Sequence, residues 1–95
     1  MLSEIKTALR LTTNAYDAEI RGLQEAALLD LKLAGVITES MDALIRRAVI
    51  TYCRMNFGSP EDYDRLKRSY DEQKAQLMMA TGYTDWGGWH WKGMT

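Results

Sequence analysis

The side chains of this sequence that could carry reaction chemistry are few, and their spacing keeps them from cooperating. His90 is the only histidine and Cys53 the only cysteine. A catalytic nucleophile needs a base within hydrogen-bond reach, yet His90 stands between Trp89 and Trp91 with no serine or cysteine beside it. One histidine and one cysteine far apart in the chain, with no ligand-spaced carboxylates around either, cannot make a zinc site. Cys53 reads instead as a small core residue. Most acidic residues sit near Arg or Lys, where a surface ion pair is a far commoner use of a carboxylate than acid–base work. Gly87-Gly88 lacks the Lys-Ser/Thr ending and the preceding strand of a phosphate cradle, so it reads as a hinge between aromatic anchors. No catalytic residue, cofactor or metal is expected. The chemistry left to this chain is contact.

Two features could make contacts. The first is the segment GYTDWGGWHWKGMT at residues 82 to 95, which holds all three tryptophans and the histidine among several glycines. It cannot be helical throughout, and indoles are costly to leave in water. They either fold back on this chain's own core or dock on a neighbour. Trp is enriched at binding hot spots, so Tyr83, Trp86, Trp89, His90 and Trp91 are the candidate partner-binding residues. The second feature is basic: Arg46, Arg47 and Arg54 in one helix-like segment, and Arg65, Lys67 and Arg68 in the next. Such groups contact phosphate, or pair with acids on neighbouring helices and subunits. A formal net charge of −1 argues against a broad duplex-binding face, whose affinity comes mostly from phosphate neutralisation. Met41, Asp42 and Ala43 do not make the polar, base-reading start of a recognition helix.

The elements that must position these features follow from periodicity and punctuation. A chain of 95 residues with 46% hydrophobic and 26% charged residues suits one folded domain with a modest core. No segment is apolar for the roughly 18 residues that span a bilayer, and MLSEIKTALR lacks a basic start followed by an apolar run. The single cysteine allows no internal disulfide. Together these suggest a reducing, cytoplasmic setting and no membrane partner. Breaks at Thr12-Thr13-Asn14, Gly35, Thr38 to Ser40, Gly58-Ser59-Pro60 and Thr81-Gly82 cut the chain into helix-sized pieces.

The first piece, Leu2 to Leu11, spaces Leu2, Ile5, Ala8 and Leu9 as a short helix. A second helix is predicted from about Ala15 to Ala34, capped by Thr13 or Asn14 and stopped by Gly35. Its main stripe is Tyr16, Ile20, Leu23, Ala27 and Leu31; Leu28, Leu29 and Leu33 widen it and imply a second contact surface. In the third, Met41, Leu44, Ile45, Ala48, Val49 and Tyr52 follow the i, i+3, i+4 pattern up to Phe57-Gly58. The fourth is expected to begin at Ser59-Pro60-Glu61-Asp62, with a capping hydroxyl, a proline at the first helical position and early acids. Along it, Glu61 with Arg65, Asp64 with Arg68 and Asp71 with Lys74 are the expected pairs. The fold class is therefore all-α: a compact bundle of about four helices at residues 1–82, with an extended aromatic docking tail at 83–95. Ile20, Leu44, Ile45, Ala48, Val49, Tyr52 and Phe57 are the expected core.

Three stretches, LSEIKTALRLTTNAYDAEIRGLQEAALLDL, LIRRAVITYCRMNFG and YDRLKRSYDEQKAQL, give the chain a resemblance to the small head-tail connector proteins of tailed bacteriophages, also called adaptor or DNA-packaging proteins. Asp17 and Ile20 match that family's second-helix start, and Ala48, Val49, Tyr52, Asn56, Phe57 and Gly58 match its central helix. Tyr70, Lys74 and Leu77 approximate its last helix. The resemblance spans most of residues 2 to 80, rests on packing residues in order, and stops before the tail. It implies a homo-oligomeric ring in the virion neck, commonly of twelve copies and assembled in the host cytoplasm. Such a ring lies between the portal protein and a stopper or tail-completion protein, with genomic double-stranded DNA passing through its lumen without sequence-specific binding. Leu28, Leu29, Arg65, Arg68 and Asp71 would then be subunit-contact candidates. The alternative is a small helical DNA-binding or packaging-associated protein.

Overall fold

A computed structural model describes residues 1–80, so the aromatic tail and its candidate residues Tyr83, Trp86, Trp89, His90 and Trp91 lie outside the described residues. Four helices follow in order: α1 (Leu2–Ala8), α2 (Asp17–Leu33), α3 (Ala43–Asn56) and α4 (Tyr63–Met79). Helix α3 is the centre of the molecule. Both α2 and α4 pack chiefly on α3, and α1 lies across the α2–α3 pair.

The core follows from this order. Ile20, Ala27 and Leu31 of α2 meet Ile45, Ala48, Val49 and Cys53 of α3, and Leu66, Tyr70 and Leu77 complete the cluster from α4, with Ile5 and Val36. Tyr52 stacks edge-on against Tyr70 at 5.3 Å between ring centres, and Tyr16 meets Phe57 in the same way at 5.4 Å. Ile20, Ile45, Ala48 and Val49 are fully buried, while Tyr52 and Phe57 are half-buried against the core. Leu44 is corrected: it is 37% exposed. It lies in the first turn of α3, about 100° round the helix from buried Ile45, where the cluster no longer covers it.

Two helices end in the same motif with different residues. At the end of α2, Val36 N–H donates to Leu31 C=O and Gly35 N–H to Lys32 C=O, both at 3.0 Å, with Gly35 at φ 93°. Both Leu31 and Val36 are buried, the hydrophobic contact that accompanies this Schellman stop. At the end of α1, Leu11 N–H donates to Lys6 C=O at 2.9 Å and Arg10 N–H to Thr7 C=O at 3.1 Å, but the left-handed residue is Arg10, at φ 59°. A side chain there strains the backbone where glycine would not. Arg10→Gly should therefore raise the midpoint of urea unfolding, by up to about 1 kcal/mol of stability, and leave the helical circular dichroism unchanged.

Several helix starts differ from expectation. Thr13 and Asn14 do not cap α2, because Thr13 Oγ1 accepts from Ala15 N–H at 3.1 Å and Asn14 Oδ1 from Lys6 Nζ at 2.6 Å. Those oxygens serve the preceding turn and α1, and α2 starts at Asp17, with Lys6 also paired to Asp17 at 3.0 Å. Helix α3 is capped by Asp42, whose carboxylate accepts from Leu44 and Ile45 N–H at 3.1 and 3.2 Å. Met41 stands before it in the left-handed region at φ 49°, its carbonyl taking a hydrogen bond from Arg46 Nη1 at 3.1 Å. Ser59 and Pro60 precede α4 without entering it; the chain turns at left-handed Gly58 and again at Glu61-Asp62 before Tyr63. Asp62 is the N-cap of α4, but its carboxylate binds Arg65 and caps no amide.

Candidate interaction surfaces

Three surfaces emerge from this packing. The first is a groove of about 450 Å³ where Glu4 of α1 and Arg46, Arg47, Ile50, Thr51 and Arg54 of α3 face Arg65, Leu66, Ser69 and Gln73 of α4. Four guanidinium groups line it over an apolar floor of Ile50 and Leu66. Arg46 is loosely paired with Glu4 at 3.5 Å and Arg65 is held by Asp62. Arg65 draws the Asp62 carboxyl below its ordinary value by that hydrogen bond. Sequence reading put basic residues on two helices separately. The short α3–α4 connection folds them against each other, and that connection was the available signal.

The second surface is the far side of α4. Asp64, Lys67, Arg68, Asp71, Glu72 and Ala75 line it, so the subunit-contact candidates divide: Arg65 belongs to the groove, and Arg68 and Asp71 to this face. The expected pairs are also redrawn. Asp71 is bound by Lys67 at 3.0 Å, which raises the Lys67 pKa, while Arg65 takes Asp62 and Lys74 reaches Asp30 of α2. The three-residue step in the Asp62–Arg65 pair and the four-residue step from Lys67 to Asp71 both lie within the reach of neighbouring helical turns.

The third surface is the outward face of α2. Leu29 is 56% exposed and Leu33 80% exposed. At 100° per residue, Ala18, Gly22 and Ala26 fall on the same side, opposite buried Ile20, Ala27 and Leu31. Leu28 stands apart from these two, since it packs partly on the core. Charges on α2 flank the outward face: Arg21, Glu25 and Lys32 on one edge, Glu19 and Asp30 on the other. A surface helix normally directs its charges along the line farthest from the core. This one is apolar on two opposite sides, and only one is covered.

One polar bridge ties α2 to α4 past α3. The Tyr70 hydroxyl donates to Asp30 Oδ2 at 2.5 Å, and Lys74 Nζ donates to the same oxygen at 3.2 Å. Lys74 also lies 5.5 Å from the centre of the Tyr70 ring. Burial pulls the Asp30 carboxyl upward, but the Tyr70 and Lys74 donors outweigh it and hold its pKa below the ordinary value. Burial, and then the bond to Asp30, push Tyr70 well above a normal phenol. A depressed carboxyl stabilises the fold above its unfolded pKa of about 4 and loses that contribution as pH falls through the lower folded value. Asp30→Ala strands the Tyr70 hydroxyl in a site where the residue is only 3% exposed. We expect it to cost about 1–3 kcal/mol at pH 7 and to reduce the loss of stability on acidification, both readable from urea unfolding across pH.

Among the described residues no group of His, Cys, Asp and Glu is placed to hold a metal ion. Buried Cys53 has its thiol pushed up to about 11, which leaves little of the reactive thiolate at neutral pH. No described helix is long and apolar enough to cross a membrane.

Comparison with known proteins adds one result. The family model for phage connector protein matches residues 1–84, which takes in all four helices. No curated protein and no solved structure matches the chain.

Proposed function

The chain belongs to the phage connector protein family, and from that premise we propose that it is a structural head-tail connector, or adaptor, forming a ring in the virion neck. In this reading the ring has about the twelve copies common in such assemblies and lies between the portal protein and a stopper or tail-completion protein. Genomic DNA passes through its lumen without base-specific contact. No step of that task needs a catalytic group or a cofactor.

The observation that carries the reading is the two-sided apolar character of α2. Leu29 and Leu33 face away from the core formed by the described residues, and an exposed apolar face on a small domain marks a contact with another chain. The face of α4 at Asp64, Arg68 and Asp71 offers a polar rim beside such a contact. The test is electron microscopy of particles with and without the chain. A symmetric ring should lie beneath the portal only when the chain is present; its absence from the neck would overturn the reading.

The arginine groove favours a second reading, a small DNA-binding or packaging-associated protein. It predicts a gel shift with duplex DNA that weakens steeply as salt rises and disappears in Arg47→Glu/Arg54→Glu. We expect no shift for either chain near physiological salt, because the groove is a recess between helices and the protein as a whole is slightly acidic. A salt-dependent shift lost in the double variant would favour the DNA-binding role.

A further inference from the structure

We propose that the arginine groove between α3 and α4 is a docking site for an acidic amphipathic helix of another protein, one that presents two carboxylates two turns apart with an apolar side chain between them. The inference goes beyond the connector role, since it gives a partner chemistry to a surface that the role leaves unused.

The charges of the groove do not balance. Arg46 already holds Glu4 at 3.5 Å and the Met41 carbonyl at 3.1 Å, and Arg65 holds Asp62. The side chains of Arg47 and Arg54 make no hydrogen bond and no ion pair among the described residues. Arg65 is the first cause of the lowered Asp62 pKa and Arg54 the last, so Arg54 acts on that carboxylate only through space. Arg54 is also half-buried, and a guanidinium drawn partly out of water with no carboxylate against it is left uncompensated.

The spacing of these two arginines describes the occupant. They stand seven residues apart on one face of α3, about 10.5 Å along its axis, and Ile50 lies between them on the same face. Leu66 of α4, only 2% exposed, closes the floor beneath. The wall therefore reads cation, apolar, cation at steps of three and four residues. Its complement is a helix reading acid, apolar, acid at the same steps, laid into the groove. From Ala43 to Arg54 the wall runs about 16 Å, room for about three turns of such a partner.

This chain does not supply that helix. Asp64 and Asp71 are the only two acids of the sequence seven residues apart, and Lys67 and Arg68 stand between them, so a second copy would set cation against cation. Segment 83–95 has one acid, Asp85, offset by Lys92. Nucleic acid matches less well still. It brings phosphates but no aliphatic side chain for Ile50, and Glu61, Asp64, Asp71 and Glu72 elsewhere around α4 repel a polyanion that runs past the groove.

Fluorescence anisotropy of the full chain with a labelled, helix-forming synthetic peptide tests this. The probe carries two glutamates two turns apart and a leucine between them. Its binding should weaken as salt rises, and by about tenfold when serine replaces the leucine. Arg47→Glu/Arg54→Glu should keep its helical circular dichroism and lose at least about tenfold in affinity for this probe. The same variant should bind a probe with lysines in place of the glutamates, which the unaltered chain should not. Arg68→Glu, on the far side of α4, should bind the glutamate probe as the unaltered chain does. Binding that the double variant leaves intact, or no binding by the full chain and by one ending at Gly82, would overturn the site. Binding by the shorter chain alone would mean that segment 83–95 is the cover and would overturn a separate protein as occupant. Tighter binding of duplex or single-stranded DNA, lost in the double variant, would make the groove a nucleic-acid site and overturn the acidic helix.

Discussion

A chain ending at Gly82 should fold normally and fail to attach to portal-bearing capsids. The core runs from Ile5 to Leu77 and α4 closes at Met79, so removing residues 83–95 takes away no buried side chain among the described residues. The far-ultraviolet circular dichroism should keep its helical shape, and the unfolding midpoint in urea should move little. Attachment is different. Tryptophans at the centre of an interface commonly cost about 2 kcal/mol or more apiece when truncated, a factor of about 30 in affinity. Losing three together should leave no bound chain after sedimentation with capsids. Normal co-sedimentation of the truncated chain would show that the segment is not a docking element, whichever surface receives it.

The second large effect separates two leucines on one helix. Leu31 is fully buried and packs in the cluster with Val36 at the stop of α2, so Leu31→Ala should destabilise the chain by about 2–5 kcal/mol. At about 4–8 °C per kcal/mol for a domain of this size, calorimetry should record a fall in Tm of at least about 8 °C. Leu33 lies two residues on with 80% of its surface exposed. Leu33→Ala should move the stability of the isolated chain by less than about 0.5 kcal/mol yet impair incorporation into particles. Equal losses of stability in the two variants would mean that Leu33 is covered within a single copy.

The helices themselves were legible because their apolar spacing repeats. Ile45, Ala48, Val49 and Tyr52 give α3 its inward face in the sequence, and Gly35 marks the end of α2 with the one residue type free to take φ 93° without strain. The starts were harder to read, since a capping side chain can be claimed by something nearer. Asn14 goes to Lys6, and Asp62 to Arg65. Leu44 shows another limit: a periodic position near a helix end is apolar by pattern, yet the neighbours that would bury it have already run out. The interaction surfaces were legible only in part. The three extra leucines of α2 announced a second contact, but assigning Leu28 inward and Leu29 and Leu33 outward needed the direction of the core. The arginine groove lies between two helices, so neither sequence segment contains it. The three tryptophans stand out by composition alone and lie outside the described residues.

The bridge from Tyr70 and Lys74 to Asp30 has a mechanical consequence. In the neck role proposed above, the chain would be strained when the genome pushes outward and the tail pulls below. If neighbouring copies grip one another through α2 on one side and α4 on the other, tension enters each molecule at one helix and leaves by the other. Leu66 and Leu77 resist by packing alone, which yields when layers slide. The Asp30 oxygen, gripped by a hydroxyl and an ammonium, works as a tie rod across that sliding direction. Single-molecule pulling between the end of α4 and α2 should show a lower rupture force once that rod is cut.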